Sequence, residues 1–308
     1  MMKISDMDYG MNKIKLAVIK TEEREGKDGR LYSEVTCVDG SNTMTAKVWK
    51  SKSDLHLEPP VVVEAMVEKQ LYGGNNSYIM KQYIQENDNP VDYMPHAPID
   101  PDTAFDDIMR TVFAFQEKDL KTVTWQILTK NKALFIKTPA AKAIHHNYIY
   151  GLMYHEYRML QLAKSMAILY PEINKDLLYA AVLLHDIGKI KELSIDAAGV
   201  IDYTVAGNLL GHCIIGIQMI ERECYIHGID PESESIKLLE HMLASHHGDL
   251  DKGAVVVPRT AEAMLLHEID MIESRKWQYE KVETENEAGT LSAKVFGLGN
   301  VPIYHPTR

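Results

Sequence analysis

Apolar and polar residues alternate over 13–19, with Ile14, Leu16 and Val18 at every second position, and strand-like apolar runs return over 31–38, 43–49, 61–71 and 78–84. Alternation of this kind marks a strand with one buried face, since successive side chains leave opposite sides of the backbone. A charged turn at 26–29, Asp39-Gly40 and Gly73-Gly74-Asn75-Asn76 punctuate the runs with turn residues. Five strands in this length predict a small barrel of the OB kind. Beyond residue 86 the alternation stops, and Pro90, Pro95, Pro98 and Pro101 among Asn and Asp read as a linker over 89–101. From 102 onward the apolar spacing is helical. Helices are expected over 103–117, 125–135, 153–170, 209–225, 234–245 and 259–279. One more should open at Ala140 and run through His145-His146, and another should cover 176–191 with Gly188 at its end. Residues 192–208 read as irregular with a short hairpin, and 281–308 as a tail packed on the body. The expected fold is therefore α+β multidomain. A β-barrel over 1–88 is joined by the linker to an all-α bundle over 102–308.

The chain has 308 residues, 45% of them hydrophobic, enough for one large or two ordinary domains. The longest apolar run is too short to span a bilayer, and residues 1–10 lack the apolar core of a signal peptide. Cys37, Cys213 and Cys224 have no paired metal spacing and read as reduced thiols of a cytoplasmic protein. A net charge of −11 argues against a protein that coats nucleic acid nonspecifically. It leaves room for an enzyme that admits a nucleic-acid end. The charge is uneven: residues 1–90 hold 12 Lys/Arg against 14 Asp/Glu, so the barrel is the less repulsive surface for a polyanion. Tyr32, Trp49 and Tyr72 lie on its strands with Lys47 nearby, as do Tyr78 and Tyr83 with Lys50, Lys52 and Lys81. Bases stack on such rings while cations follow the backbone. Half-buried packing is the competing reading, favoured for Tyr83.

The apolar run 177–184 ends in His185-Asp186-Ile187-Gly188-Lys189. A carboxylate at the buried end of a helix needs a partner, and a metal ion suits both side chains. Further ligands fall on separate expected helices: His155, His212, His246 and Asp270. A helical bundle can converge such residues on one interior point. Four imidazoles and two carboxylates suffice for two transition metals with Asp186 between them. A water shared by two such ions is acidic enough for hydrolysis near neutral pH. Lys189, one turn on, suits a phosphate oxygen. His267 precedes Asp270 by one turn and competes as a ligand, with packing the favoured role. His145 and His146 suit either a phosphate contact or a structural role.

The ordered pattern His…His-Asp-Ile-Gly-Lys…Gly-His…His-His-Gly…Asp resembles the HD-domain metal-dependent phosphohydrolases, over about 145–270. With an OB-like barrel ahead of it, the chain is similar to the YhaM group of bacterial 3′-to-5′ exoribonucleases. Pro139-Ala140-Ala141-Lys142, Gly151-Leu152, Tyr203-Thr204, Gly207 and Val295-Phe296-Gly297-Leu298 extend the likeness. Tyr150 departs from it, since a small residue is expected there. The resemblance implies one metal held by His155, His185, Asp186 and Asp270, and a second held by Asp186, His212 and His246. His247 is implied as a further ligand or a donor beside them, and Asp186, Lys189 and His247 as the residues that carry catalysis. Manganese is the expected ion, with iron and cobalt as alternatives. The implied activity releases nucleoside 5′-monophosphates from the 3′ end of single-stranded RNA, or DNA. A homo-oligomer is compatible with the sequence. Two other readings of the same six ligands are a hydrolase of small or cyclic nucleotides and a diiron oxygenase.

Overall fold

The computed structural model describes residues 2–26, 29–73, 75–141, 148–196 and 201–307. Strands β1 (Gly10–Glu25), β2 (Leu31–Val38), β3 (Thr43–Val48), β4 (Val61–Tyr72) and β5 (Asn75–Glu86) close a barrel in the order β1-β2-β3-β5-β4. All pairings are antiparallel except β3 with β5, which is parallel. The length of β1 makes closure feasible. Its first half pairs with β4, its second with β2, and an irregularity between Val18 and Lys20 bends it between them. The inward positions Leu16, Val18, Val35, Ala46, Val63 and Met80 fill the interior. A short helix α1 (Lys52–Leu55), capped by the Ser51 side chain, adds Leu55 to that core.

Contacts divide the chain into two units, 1–96 with 195–201, and 97–194 with 202–308. The proline-rich stretch is less open than its composition suggests. Pro90–Tyr93 forms a 3₁₀ turn, and Tyr93 is buried with its hydroxyl donating to Asp88 at 2.7 Å. At the other end Pro101 starts helix α2 (Pro101–Phe113), whose N–H groups are met by Asp100. Proline suits a first helical position because that N–H has no partner in any case.

The second unit continues with α3 (Lys118–Lys130), α4 (Lys132–Lys137), α5 (Gly151–Leu169), α6 (Lys175–Leu184), α7 (Lys189–Glu192), α8 (Val205–His227), α9 (Glu234–Ser245) and α10 (Ala261–Glu285). The helix expected over 125–135 is two, interrupted at Asn131. Most of the one expected from Ala140 through His145-His146 lies outside the described residues, as does Lys142. The tail begins later than expected, because α10 runs on to Glu285. Strands Leu291–Val295 and Val301–Tyr304 then pair as a hairpin. The short hairpin within 192–208 is present as Leu193–Ile195 with Ile201–Tyr203. No helix among the described residues is long and apolar enough to cross a membrane.

Helix α6 is buried almost all round, at Leu177, Leu178 and every residue from Ala180 to Leu184, and packs on α3, α5, α9 and α10. A helix apolar on every face belongs in the middle of a bundle, so its end delivers whatever follows to the interior. It ends at Leu184, not at Gly188. His185 to Gly188 form a turn, and Gly188 caps α7 instead.

Candidate metal centre

Four histidines reach the bundle interior from four segments: His155 on α5, His185 after α6, His212 on α8 and His246 after α9. All are buried or nearly so. Neighbouring ring centroids stand 5.6 Å apart for His155 and His185, 5.0 Å for His185 and His246, and 5.5 Å for His212 and His246. His247 joins them, 4.1 Å from His246 and 5.2 Å from His212. Helix α8 carries His212 inward through a break at Gly211, whose φ of +71° suits glycine.

Each of the four rings has its Nδ1 engaged. His185 Nδ1 donates to the Val182 carbonyl at 2.9 Å and His246 Nδ1 to the Leu243 carbonyl at 2.8 Å. His155 Nδ1 meets Glu273 Oε2 at 2.5 Å and His212 Nδ1 meets Glu192 Oε1 at 3.1 Å. Acceptors on Nδ1 select the tautomer whose Nε2 lone pair is free for a metal. Those Nε2 atoms face the two aspartates. Asp186 Oδ2 is 3.3 Å from His185, Asp186 Oδ1 is 3.4 Å from His212 and 3.8 Å from His246, and Asp270 Oδ1 is 3.3 Å from His155. Nε2 of His185 and of His212, and Asp186 Oδ1, are buried without a hydrogen-bond partner. Buried polar atoms in that condition are costly. A cation with bonds of about 2.1 Å would hold tetrahedral neighbours roughly 3.4 Å apart, the spacing seen here, and satisfy them together.

The electrostatics agree. Burial alone would keep His155 neutral, but hydrogen bonds to Asp270 and Glu273 outweigh it and raise its pKa to about 10. Burial likewise opposes charge on His212, and its contacts with Cys213, Glu192 and Asp186 raise it to about 10. Burial pushes Asp186 and Asp270 upward, yet Lys189 and His185 for the first, and His155 for the second, hold them well below the usual carboxylate range. The pocket thus draws positive charge, and without an ion the rings take it up as protons. Both folded values lie above 6.5, so at pH 7.5 each of these two rings carries the proton that an ion must displace from Nε2. Adding Mn²⁺ to chelator-treated protein at pH 7.5 should therefore release protons. Calorimetry in buffers of differing ionisation enthalpy measures them, and a buffer-independent heat would contradict this account.

The family model of the HD domain matches residues 152–275. The 3′-5′ exoribonuclease YhaM of Listeria innocua is 33% identical over 314 aligned residues, covering 99% of this chain and 98% of that protein. Its namesake in Bacillus subtilis is 33% identical over 286, covering 91% and 90%. The chain belongs to the YhaM family of HD-domain proteins. The HD model begins at Leu152, the second residue of α5, and ends five residues past Asp270 on α10. It therefore encloses every histidine and aspartate just described.

Sequence reasoning missed two residues of this HD centre. Glu192 accepts from both the ring and the backbone N–H of His212, and Glu273 is gripped by His155 and by Arg158 Nε at 2.9 Å. Glu273 has a faint signal, three residues after Asp270 on one face of α10. Glu192 has none, because a turn separates it from His185. Glu192→Gln or Glu273→Gln should each weaken Mn²⁺ binding about 10- to 100-fold with the fold intact. Equilibrium dialysis checks this, and unchanged affinity would remove their orienting role. His267 donates from Nδ1 to the His246 carbonyl at 2.7 Å, so it braces a member of the cluster. Lys189 Nζ lies 2.6 Å from Asp186 Oδ2 and is largely buried. Tyr150 has φ +69°, just ahead of α5. That is a left-handed position in which glycine is unstrained, so the expectation of a small residue has a backbone cause.

On the barrel, Tyr32 and Trp49 lie across from one another, ring centroids 5.3 Å apart, and Lys47 Nζ stands 5.6 Å from the Tyr32 centroid. Trp49 is 59% exposed. Tyr72 is 71% exposed at the end of β4, with no ring contact to this group described. Tyr83 behaves as packing, its hydroxyl donating to the Leu55 carbonyl at 2.6 Å. Lys81 is tied to Glu68 at 2.9 Å.

Proposed function

We propose that this protein is a metal-dependent 3′-to-5′ exoribonuclease that removes nucleoside 5′-monophosphates from single-stranded RNA, accepts single-stranded DNA, and works in the cytoplasm with two manganese ions. One observation supports the reading above the others. Four buried imidazoles have Nδ1 occupied and Nε2 turned toward Asp186 or Asp270. The relatives with that family's domain are named 3′-5′ exoribonucleases. Bound ions supply an acidified water and neutralise the charge of a phosphodiester under attack.

The protein's own residues do the rest. His155, His185, Asp186 and Asp270 would hold one ion, and Asp186, His212 and His246 the second. Lys189 balances the Asp186 charge and presents a cation to an arriving phosphate oxygen. His247, half-buried beside His212 and His246, is a further donor at that edge. On the barrel, Trp49 and Tyr32 stack bases, Lys47 beside them meets the backbone, Tyr72 is a further contact, and the metal centre cuts.

The test uses 5′-labelled RNA with a defined 3′ end, against mononucleotides and cyclic dinucleotides. Stepwise shortening that needs Mn²⁺ and proceeds without oxygen is expected. Cleavage of small nucleotides alone would overturn the substrate, and dependence on oxygen the chemistry. Trp49→Ala should raise KM for RNA about 5- to 150-fold, equivalent to roughly 1–3 kcal/mol of stacking, with the melting temperature unchanged. An unaltered KM would place the strand elsewhere.

A further inference from the structure

The three thiols are alike in the sequence and unlike in the fold. Cys37 is sealed in the barrel core and Cys224 lies far along α8. Cys213 follows His212 directly, is 7% exposed, and belongs to a group with His212, His246 and His247 whose ligand atoms all lie within 4.8 Å of one another. We propose that Cys213 is a metal ligand, completing with these three histidines a nitrogen–sulfur subsite that selects zinc over manganese and, once filled, holds the centre inactive.

The donors converge with little else to bind. His246 is 1% exposed, its Nδ1 is given to the Leu243 carbonyl, and its Nε2 stands 3.8 Å from Asp186 Oδ1, beyond hydrogen-bond reach. His212 Nε2 has no hydrogen-bond partner. His247 presents its ring to both. A cation that accepts nitrogen and sulfur satisfies all four residues. Manganese favours oxygen and nitrogen donors, whereas zinc binds thiolate strongly and settles into a tetrahedron. The Cys213 proton leaves to solvent as the sulfur–metal bond forms, and nothing is oxidised or reduced. Four protein donors leave a tetrahedral ion no open position, which is the arrangement of structural zinc rather than catalytic zinc. Zinc here also removes His212 and His246 from service with Asp186. The inhibitory part of the inference rests on the nuclease reading; the ligation does not.

Cobalt reads the ligation directly. Full-length protein stripped with a chelator and loaded with Co²⁺ should show a near-ultraviolet sulfur-to-cobalt charge-transfer band that Zn²⁺ displaces. The band should vanish in Cys213→Ser and Cys213→Ala, whose folding circular dichroism verifies, and survive in Cys224→Ser. Zinc affinity, measured against a chelating dye, should fall about 10- to 100-fold in Cys213→Ser, with manganese affinity held within about twofold. No band in the wild-type protein, or one that persists in both Cys213 variants, overturns the proposal. Low zinc should arrest wild-type RNA hydrolysis and spare Cys213→Ser; equal inhibition of both overturns the silencing. A band present in a protein that cleaves no RNA would sustain the ligation and refute the nuclease.

Discussion

Asp186→Asn should lower RNA turnover by at least about 10³-fold and remove bound manganese, while leaving the affinity of the barrel for single-stranded RNA unchanged. The side chain uses both oxygens. Oδ2 lies beside His185 Nε2 and Lys189 Nζ, and Oδ1 beside His212 and His246. An amide presents one acceptor and one donor, so one side of the centre would face N–H where an anion stood. The charge lost is also the partner of a largely buried ammonium, Lys189. Removing one member of a buried pair costs about 3–5 kcal/mol, so the metal-free variant should melt lower. Asp186→Asn with Lys189→Met should recover part of that loss without recovering turnover. Metal analysis, gel-shift binding and product analysis on one preparation separate these effects. Full turnover by Asp186→Asn would end the metal-centre account.

Gly188→Ala should destabilise the helical unit by about 3 kcal/mol, at the upper end of the cost of overpacking, a fall of about 6–12 °C in melting temperature. A Cβ at residue 188 would lie 2.0 Å from the carbonyl oxygen of His212 and 2.8 Å from its Cα. Those atoms are main chain and cannot swing aside, so α8 must shift as a body and take the His212 ring with it. Activity should fall with stability, and metal affinity should drop even where the variant is still folded. Thermal unfolding together with dialysis against Mn²⁺ tests this. A melting temperature within about 2 °C of wild type would mean that α8 gives way to the added Cβ at little cost and would refute this account. Gly188 thus stands in the His-Asp-Ile-Gly-Lys run for what passes behind it, not for a turn of its own.

Much of the centre was legible from residue types and their spacing. His155, His185, Asp186, His212, His246 and Asp270 each fall at the apolar face or end of a recognisable helix, and buried charge there is costly enough to be informative. The strands of the barrel were legible for a similar reason, because alternation is a local property. The centre's supports were not. Glu192 and His212 are 20 residues apart, and Glu273 and His155 are 118 apart, so no local pattern couples them. The break at Gly211 and the turn at 185–188 were also hidden, since helical periodicity passes through both.

The sequence by itself singled out the histidines and aspartates that the fold gathers into one cluster, most of the strand and helix segments, and where the acidic charge lies. These follow from side-chain chemistry and from periods of 2 and 3.6 along the chain. Tertiary structure alone decided the rest. It closed the barrel through the parallel β3–β5 pair, fixed the tautomers of His155 and His212 through distant acceptors, and set Cys213 among the histidines. Each of these depends on where an element lies in space, and packing against remote segments sets that position.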